Sequence, residues 1–117
     1  MLKIYFEEDS ERREHESIER GCRLDVLVEI DGKYYEPIIN TIERLAQEVN
    51  EAFEDNKIYD IDPCQILVKE ANKELIIKSI VKLYQQSFFK YFNPIDLNKY
   101  KTICEKLIDI KNWVQVY

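Results

Sequence analysis

The segment Cys22–Gly32 constrains the fold more than any other stretch of the chain. Cys22, Leu24, Val26, Val28 and Ile30 alternate with Arg23, Asp25, Leu27 and Glu29. Successive side chains of a strand point to opposite faces, so this alternation predicts a strand with one face on a core and one face in water, Leu27 being the exception. Asp31-Gly32 follows at once. That pair readily adopts the positive φ angles of a two-residue type I′ turn, and the chain is expected to fold back as an antiparallel hairpin. Lys33–Ile38 is the return strand. Pro37 marks an edge or an end, because it has no N–H to give to a ladder.

Helices are expected to cover the apolar side of this sheet. Asn40–Asp55 is the clearest, with Asn40 as N-cap and Glu43 three residues on, as in a capping box. Ile42, Leu45, Ala46, Val49 and Phe53 recur at helical spacing and predict one buried stripe, with Glu43, Arg44, Gln47, Glu48, Glu51, Glu54 and Asp55 outside. Asp55–Pro63 reads as a loop and Gln65–Lys69 as a short strand. Asn72–Phe89 is a second helix whose apolar residues occupy two stripes, Leu75, Ile76, Ile80 and Leu83 on one and Ile77, Val81, Tyr84 and Phe88 on the other, so it should be covered on two sides. Asn93-Pro94-Ile95-Asp96 opens a third helix with a stripe of Tyr100, Ile103, Cys104 and Leu107. Leu2–Phe6 and Trp113–Tyr117 read as outer strands. Residues 7–20, almost wholly charged, read as a loop or a solvated, poorly packed helix ended by Gly21. The order β-β-β-α-β-α-α-β predicts an α+β fold, with residues 1–117 as one domain: a curved, mostly antiparallel sheet with helices packed on one face.

The chain of 117 residues is 45% hydrophobic, enough to bury roughly two thirds of its unfolded surface without a disulfide or a metal. Several chemistries lack their parts. Gly21 and Gly32 are the two glycines, so neither a P-loop nor a GxGxxG fingerprint can be built. Cys22, Cys64 and Cys104 are widely spaced, and the one histidine, His15, lies in a charged run, so neither a metal set nor a cysteine–histidine pair is expected. Asp60-x-Asp62 is too short for an EF-hand. Asp25 and Glu29 are the carboxylate pair to weigh for acid–base work, but a wet strand face disfavours it. The expectation is therefore a non-enzymatic protein with no catalytic residue, cofactor or metal. No apolar run approaches the roughly 20 residues that span a bilayer, and Glu7, Glu8 and Asp9 follow the first strand too soon for a leader. A cytoplasmic protein with no membrane contact is expected. Lys69, Lys73, Lys78, Lys82 and Lys90 run beside Tyr84, Phe88, Phe89, Tyr91 and Phe92. Helical spacing makes those aromatics core residues rather than base-stacking groups, and overall acidity argues against direct nucleic-acid binding.

Charge is distributed unevenly. Residues 1–62 hold 18 acids and 8 bases, and residues 63–117 hold 5 acids and 9 bases, within a net charge of −6. A polarised surface steers an oppositely charged partner, although two halves that pack together can also mix their charges. The candidate partner-binding residues are Glu7, Glu8 and Asp9, then Glu48, Glu51 and Asp55 on the first clear helix, then Asp60 and Asp62 in its following loop. The competing reading of all eight is a solvated surface.

The run Arg23–Tyr35, the helix Thr41–Phe53, the segment Cys64–Val68, the helix through Ile76–Leu83 and the pair Phe88-Phe89 together resemble small bacterial immunity proteins of polymorphic or contact-dependent growth inhibition toxin systems. The likeness covers roughly residues 22–92 and lies in size, acidity, α+β order and the lack of a catalytic motif. It implies a cytosolic protein that binds a cognate toxin domain and blocks its active site or substrate entry. Many such toxins are nucleases with basic clefts, for which an acidic surface would supply attraction and fast association. Two other classes stand beside it. One is a small regulatory or assembly subunit, dimeric if it pairs through Phe88–Phe92 or Trp113–Tyr117. The other is a small enzyme with a carboxylate site.

Overall fold

The structure, a computed structural model, describes residues 1–97 and 109–117. Its elements in chain order are β1 (Leu2–Phe6), α1 (Glu11–Arg20), β2 (Cys22–Arg23), β3 (Val26–Ile30), β4 (Lys33–Tyr35), β5 (Ile38–Asn40), α2 (Ile42–Glu54), β6 (Gln65–Leu67), α3 (Lys73–Gln85) and β7 (Val114–Gln115). The fold is α+β with mostly antiparallel pairing. Its strands divide into a four-stranded sheet in the order β4-β3-β1-β7 and a three-stranded sheet in the order β2-β5-β6. Only the β5–β6 pairing is parallel among the described strands. The third helix does not open at Asn93 as expected: Ile95 is extended and bridges Tyr34, donating its N–H to the Tyr34 carbonyl at 2.7 Å, because that edge of β4 offers a free acceptor. The stripe expected at Tyr100, Ile103, Cys104 and Leu107 lies outside the described residues, while the terminal strand is present and pairs with β1.

The expected hairpin is present. Asp31 and Gly32 have φ of 50° and 81°, and Ile30 pairs with Lys33 across them. The strand before it departs from the alternation. Cys22–Ile30 is two strands in two sheets, and its first half is turned inside out: Leu24 is 61% exposed, whereas Arg23 and Asp25 are buried. The cause is a buried ion pair. The Arg23 Nε donates to Asp25 Oδ1 at 3.1 Å and its Nη2 to Asp25 Oδ2 at 3.2 Å. The same Nη2 donates to the Glu8 carbonyl, and the guanidinium lies 3.9 Å from the centroid of the Phe6 ring. Arg13 reaches Asp25 Oδ2 at 3.4 Å. Charges of both signs, a backbone acceptor and an aromatic face together compensate a desolvation that would otherwise expel either residue. Pro37 splits the return strand in the same way, so β4 stays in the larger sheet and β5 crosses to the smaller.

The core forms where the inner faces of both sheets meet α3. Ile4, Val28 and Tyr35 make one row across the larger sheet, and Ile39 and Ile66 continue Arg23 across the smaller. Ile76 and Ile80 of α3 pack against this cluster and are fully buried, as are Phe6, Val26 and Ala71. Asn72 caps α3 by accepting from the Leu75 N–H at 2.8 Å. The helix ends at Gln85, short of the expected Phe89, and a 3-10 turn at Phe88–Tyr91 follows. That turn divides the aromatics. Phe89 enters the core beside Tyr35 and Phe92, while Phe88 and Tyr91 are left outside.

The charged run 7–20 folds into α1, which is capped at both ends. Ser10 accepts from the Arg13 N–H, and Gly21 at φ 70° donates its N–H to Ser17 and Ile18 carbonyls. Its tertiary anchors are polar. The Ser17 hydroxyl donates to the Ala71 carbonyl at 2.9 Å, and the Glu14 carboxylate accepts the Lys73 N–H at the start of α3. Because Asp25 is the carboxylate paired with the buried Arg23, Asp25→Ala strands that charge, while Arg13 keeps Glu8 and solvent. Urea unfolding should show a loss of about 3–5 kcal/mol, whereas Leu24→Ser should stay within about 0.5 kcal/mol. The alternation read from sequence alone demands the reverse ranking.

Candidate functional site

The feature that sets this chain apart is α2. Thr41, rather than Asn40, is its N-cap and accepts from the Arg44 N–H at 3.2 Å, while Asn40 is the buried last residue of β5. At the other end Asn56 takes the left-handed conformation at φ 56°, and the Lys57 N–H returns to the Ala52 carbonyl. Asparagine tolerates this conformation well enough to close the helix where glycine is more usual. The expected burial of the apolar stripe does not occur. No residue of α2 is buried; Ile42 is 67% and Phe53 60% exposed, Ala46 is exposed, and Leu45 and Val49 are half-buried.

The helix rests on the molecule through a different flank. Arg44 lies beside the Cys22 thiol and Tyr59 beside the Gln65 amide, which places α2 and the loop after it over the outer side of the smaller sheet. Arg44 Nε donates to Glu48 Oε1 at 3.1 Å, and the Tyr59 hydroxyl donates to Glu48 Oε2 at 3.3 Å. Glu48 is thus half-buried and spanned by two donors, not the free surface charge that helical spacing suggested. Burial, and then the Glu48 and Asp62 carboxylates, raise the Tyr59 pKa, so both carboxylates lie near its hydroxyl. Either side of Tyr59, Ile58 and Ile61 are 87% and 81% exposed.

The eight acidic candidates fall into two groups. Glu48, Glu51, Asp55, Asp60 and Asp62 share the region of α2 and its loop. Glu51 is exposed and accepts from Gln47, Asp55 and Asp60 are exposed, and Asp62 accepts the Cys64 N–H at 2.7 Å to shape the entry to β6. Glu7, Glu8 and Asp9 lie at the start of α1, where bases already answer two of them. Glu8 sits within 4 Å of Arg12 and Arg13, and the Ser10 hydroxyl together with those arginines lowers its pKa. Asp9 holds Lys73 Nζ at 2.8 Å. Sequence reasoning found the acids but missed that Ile42, Ala46 and Phe53 stand exposed beside them, with Val49 half-buried. A signal was available: after Asp55 comes a loop with isolated Ile58 and Ile61 and no second run to cover the stripe.

The other candidates are accounted for within the fold. Asp25 is bound in the buried ion pair. Glu29 accepts from the Tyr5 hydroxyl at 3.0 Å on the outer side of the larger sheet. His15 is exposed and pairs with Glu19 at 3.2 Å, and burial raises the Cys64 thiol pKa, which keeps it protonated and unreactive. Among the described residues no group of three or more His, Cys, Asp or Glu could hold a metal ion, and no helix is long and apolar enough to cross a membrane. Comparison of the chain with protein-family models, with curated proteins and with solved structures finds no match.

Tyr5, on the outer side of the larger sheet, gives the fold a pH dependence. Burial, and then the Glu29 carboxylate, raise its pKa from the ordinary value of 10.0 to about 12. A raised folded-state pKa contributes stability in full below the unfolded value and loses it as pH climbs through the folded value. Stability should therefore fall between pH 10 and about 12. Tyr5→Phe should flatten that part of the curve in denaturant titrations at stepped pH; an unchanged slope would place the effect on another group.

Proposed function

We propose that this protein is a toxin-neutralising immunity protein that binds a cognate, basic, nuclease-type toxin domain in the cytoplasm and blocks its active site or substrate entry. The observation that carries the reading is the surplus of carboxylates on α2 and its loop. Between Ile42 and Asp62 the chain has seven acids, and its bases are Arg44 and Lys57. Arg44 is taken by Glu48. A patch of that sign raises the encounter rate with a basic cleft and disfavours acidic partners. The acids at the start of α1 contribute less, since Lys73 and the arginines already answer Glu8 and Asp9. Glu7, exposed and adjacent, is the member of that group best placed to take part.

The reading requires a toxin gene beside this one, and co-expression should protect cells from its product. Association kinetics with that toxin domain provide the sharper test. Reversing the exposed Glu51, Asp55 and Asp60 to lysine leaves the Arg44–Glu48–Tyr59 contacts intact. It should slow association by about tenfold or more at low salt and flatten the salt dependence. Protection that is absent for every neighbouring toxin, or rates that ignore the reversal, would overturn the assignment of this surface.

A further inference from the structure

We infer that α2 is a docking ridge for one kind of partner element: an amphipathic helix whose apolar stripe is flanked by lysine or arginine. The inference rests on the binding role proposed for this surface and names what the surface takes. Ile42, Ala46, Val49 and Phe53 succeed one another at intervals of four, three and four residues, so they form a straight line along one side of the helix. Over eleven residues that line is roughly 16 Å long, about three turns. Such a stripe normally faces a core, and here the helix rests on its Leu45 and Ala52 flank, leaving Ile42, Ala46 and Phe53 in water and Val49 half-buried. A helix-in-groove contact reads its partner through anchors at this spacing.

Charge decides the occupant. One residue after Ile42, Ala46, Val49 and Phe53 come Glu43, Gln47, Asn50 and Glu54, so the flank beside the stripe is exposed and polar along its length and carries a carboxylate at each end. Glu51 and Asp55 extend the negative surface around the helix. No base stands on that flank, because Arg44 points to Glu48. A second copy of this chain docked on the ridge would bring two such flanks together. Like charges in apposition oppose that pairing, and lysines beside an apolar stripe favour the alternative. Ile58 and Ile61, on the loop tied to α2 by Tyr59, add exposed apolar surface at the same end of the molecule.

The test uses the whole chain and three synthetic helical peptides: a leucine stripe at the same spacing with lysine flanks, the same composition scrambled, and the same stripe with glutamate flanks. Calorimetry should show the lysine-flanked stripe binding at least about tenfold more tightly than either control. Ile42→Ser with Phe53→Ser should abolish that preference. Both positions are largely exposed, so the variant should keep the parent's melting transition, and Ala46→Asp provides an independent disruption of the ridge. Equal binding of the scrambled peptide would mean charge alone is read, and unchanged binding by the folded variants would remove the ridge; either overturns the inference. Sedimentation of the free chain as a dimer that breaks on Ile42→Ser with Phe53→Ser would also overturn it, in favour of a second copy. Protection from a toxin that persists in the serine variant defeats the ridge while sparing the immunity role. Peptide binding without protection from any toxin does the opposite.

Discussion

The buried contact between Arg23 and Asp25 is the constraint on which the rest of the structure depends. It sits where β1, α1 and the two sheets converge. Through Asp25 it binds Arg13 of α1, through the Glu8 carbonyl it binds the turn after β1, and through the Phe6 ring it joins the core. Each partner satisfies part of a charge pair that has almost no water. The pair also breaks the strand. Once Arg23 and Asp25 turn inward, Leu24 must turn outward, and a chain that could have run straight from Cys22 to Ile30 changes sheet. A buried ion pair adds little net stability over a well-packed apolar substitute. Its value here is geometric, since it specifies which residues face the core at the junction.

That junction explains what sequence reasoning could and could not reach. The hairpin was legible because Asp31-Gly32 solves a local problem, the positive φ angles of a tight turn, and no distant contact competes with it. α3 was legible because apolar residues around two sides leave a helix nowhere to lie but inside. The inward facing of Val26 and Val28 was legible from the alternation, but that of Cys22–Asp25 was not, because the alternation assigns Arg23 and Asp25 to water unless their partners are known. Those partners, Phe6, the Glu8 carbonyl and Arg13, come from elements ten or more residues away. α1 shows the same limit in another form. Its anchors at Ala71 and at the first residue of α3 are made by Ser17 and Glu14, polar residues that carry no periodic apolar signal.

The site was half legible. The acids of α2 could be counted from the chain, and their grouping with Asp60 and Asp62 follows from a loop too short to carry them away. Which acids are free depends on tertiary contacts. Glu48 is held by Arg44 and Tyr59, and Asp9 by Lys73, so the eight candidates do not present eight free charges. The buried stripe expected on α2 rested on the rule that an amphipathic helix turns its apolar side to the core. The rule concerns free energy rather than position: an apolar stripe requires some cover, and that cover can come from another molecule.

The charge asymmetry acquires a location on the same grounds. Residues 1–62 carry the chain's excess of acid, but α1 disposes of much of its share inside the fold. Glu8 is set against Arg12 and Arg13, Asp9 against Lys73, and Glu14 against the first N–H of α3. The contacts of Asp9 and Glu14 with Lys73 join the acidic N-terminal half to the basic C-terminal half, which is the mixing that a polarised sequence allows. α2 takes no part in it. Its base is spent on Glu48, and it turns its remaining carboxylates and its apolar stripe outward together. A surface that leaves both charge and hydrophobic area unsatisfied has two independent reasons to recruit a partner. Charge alone would be neutralised by counterions and salt. Burial of the stripe is not screened by salt, so a partner that meets both would be selected by sign and retained by burial.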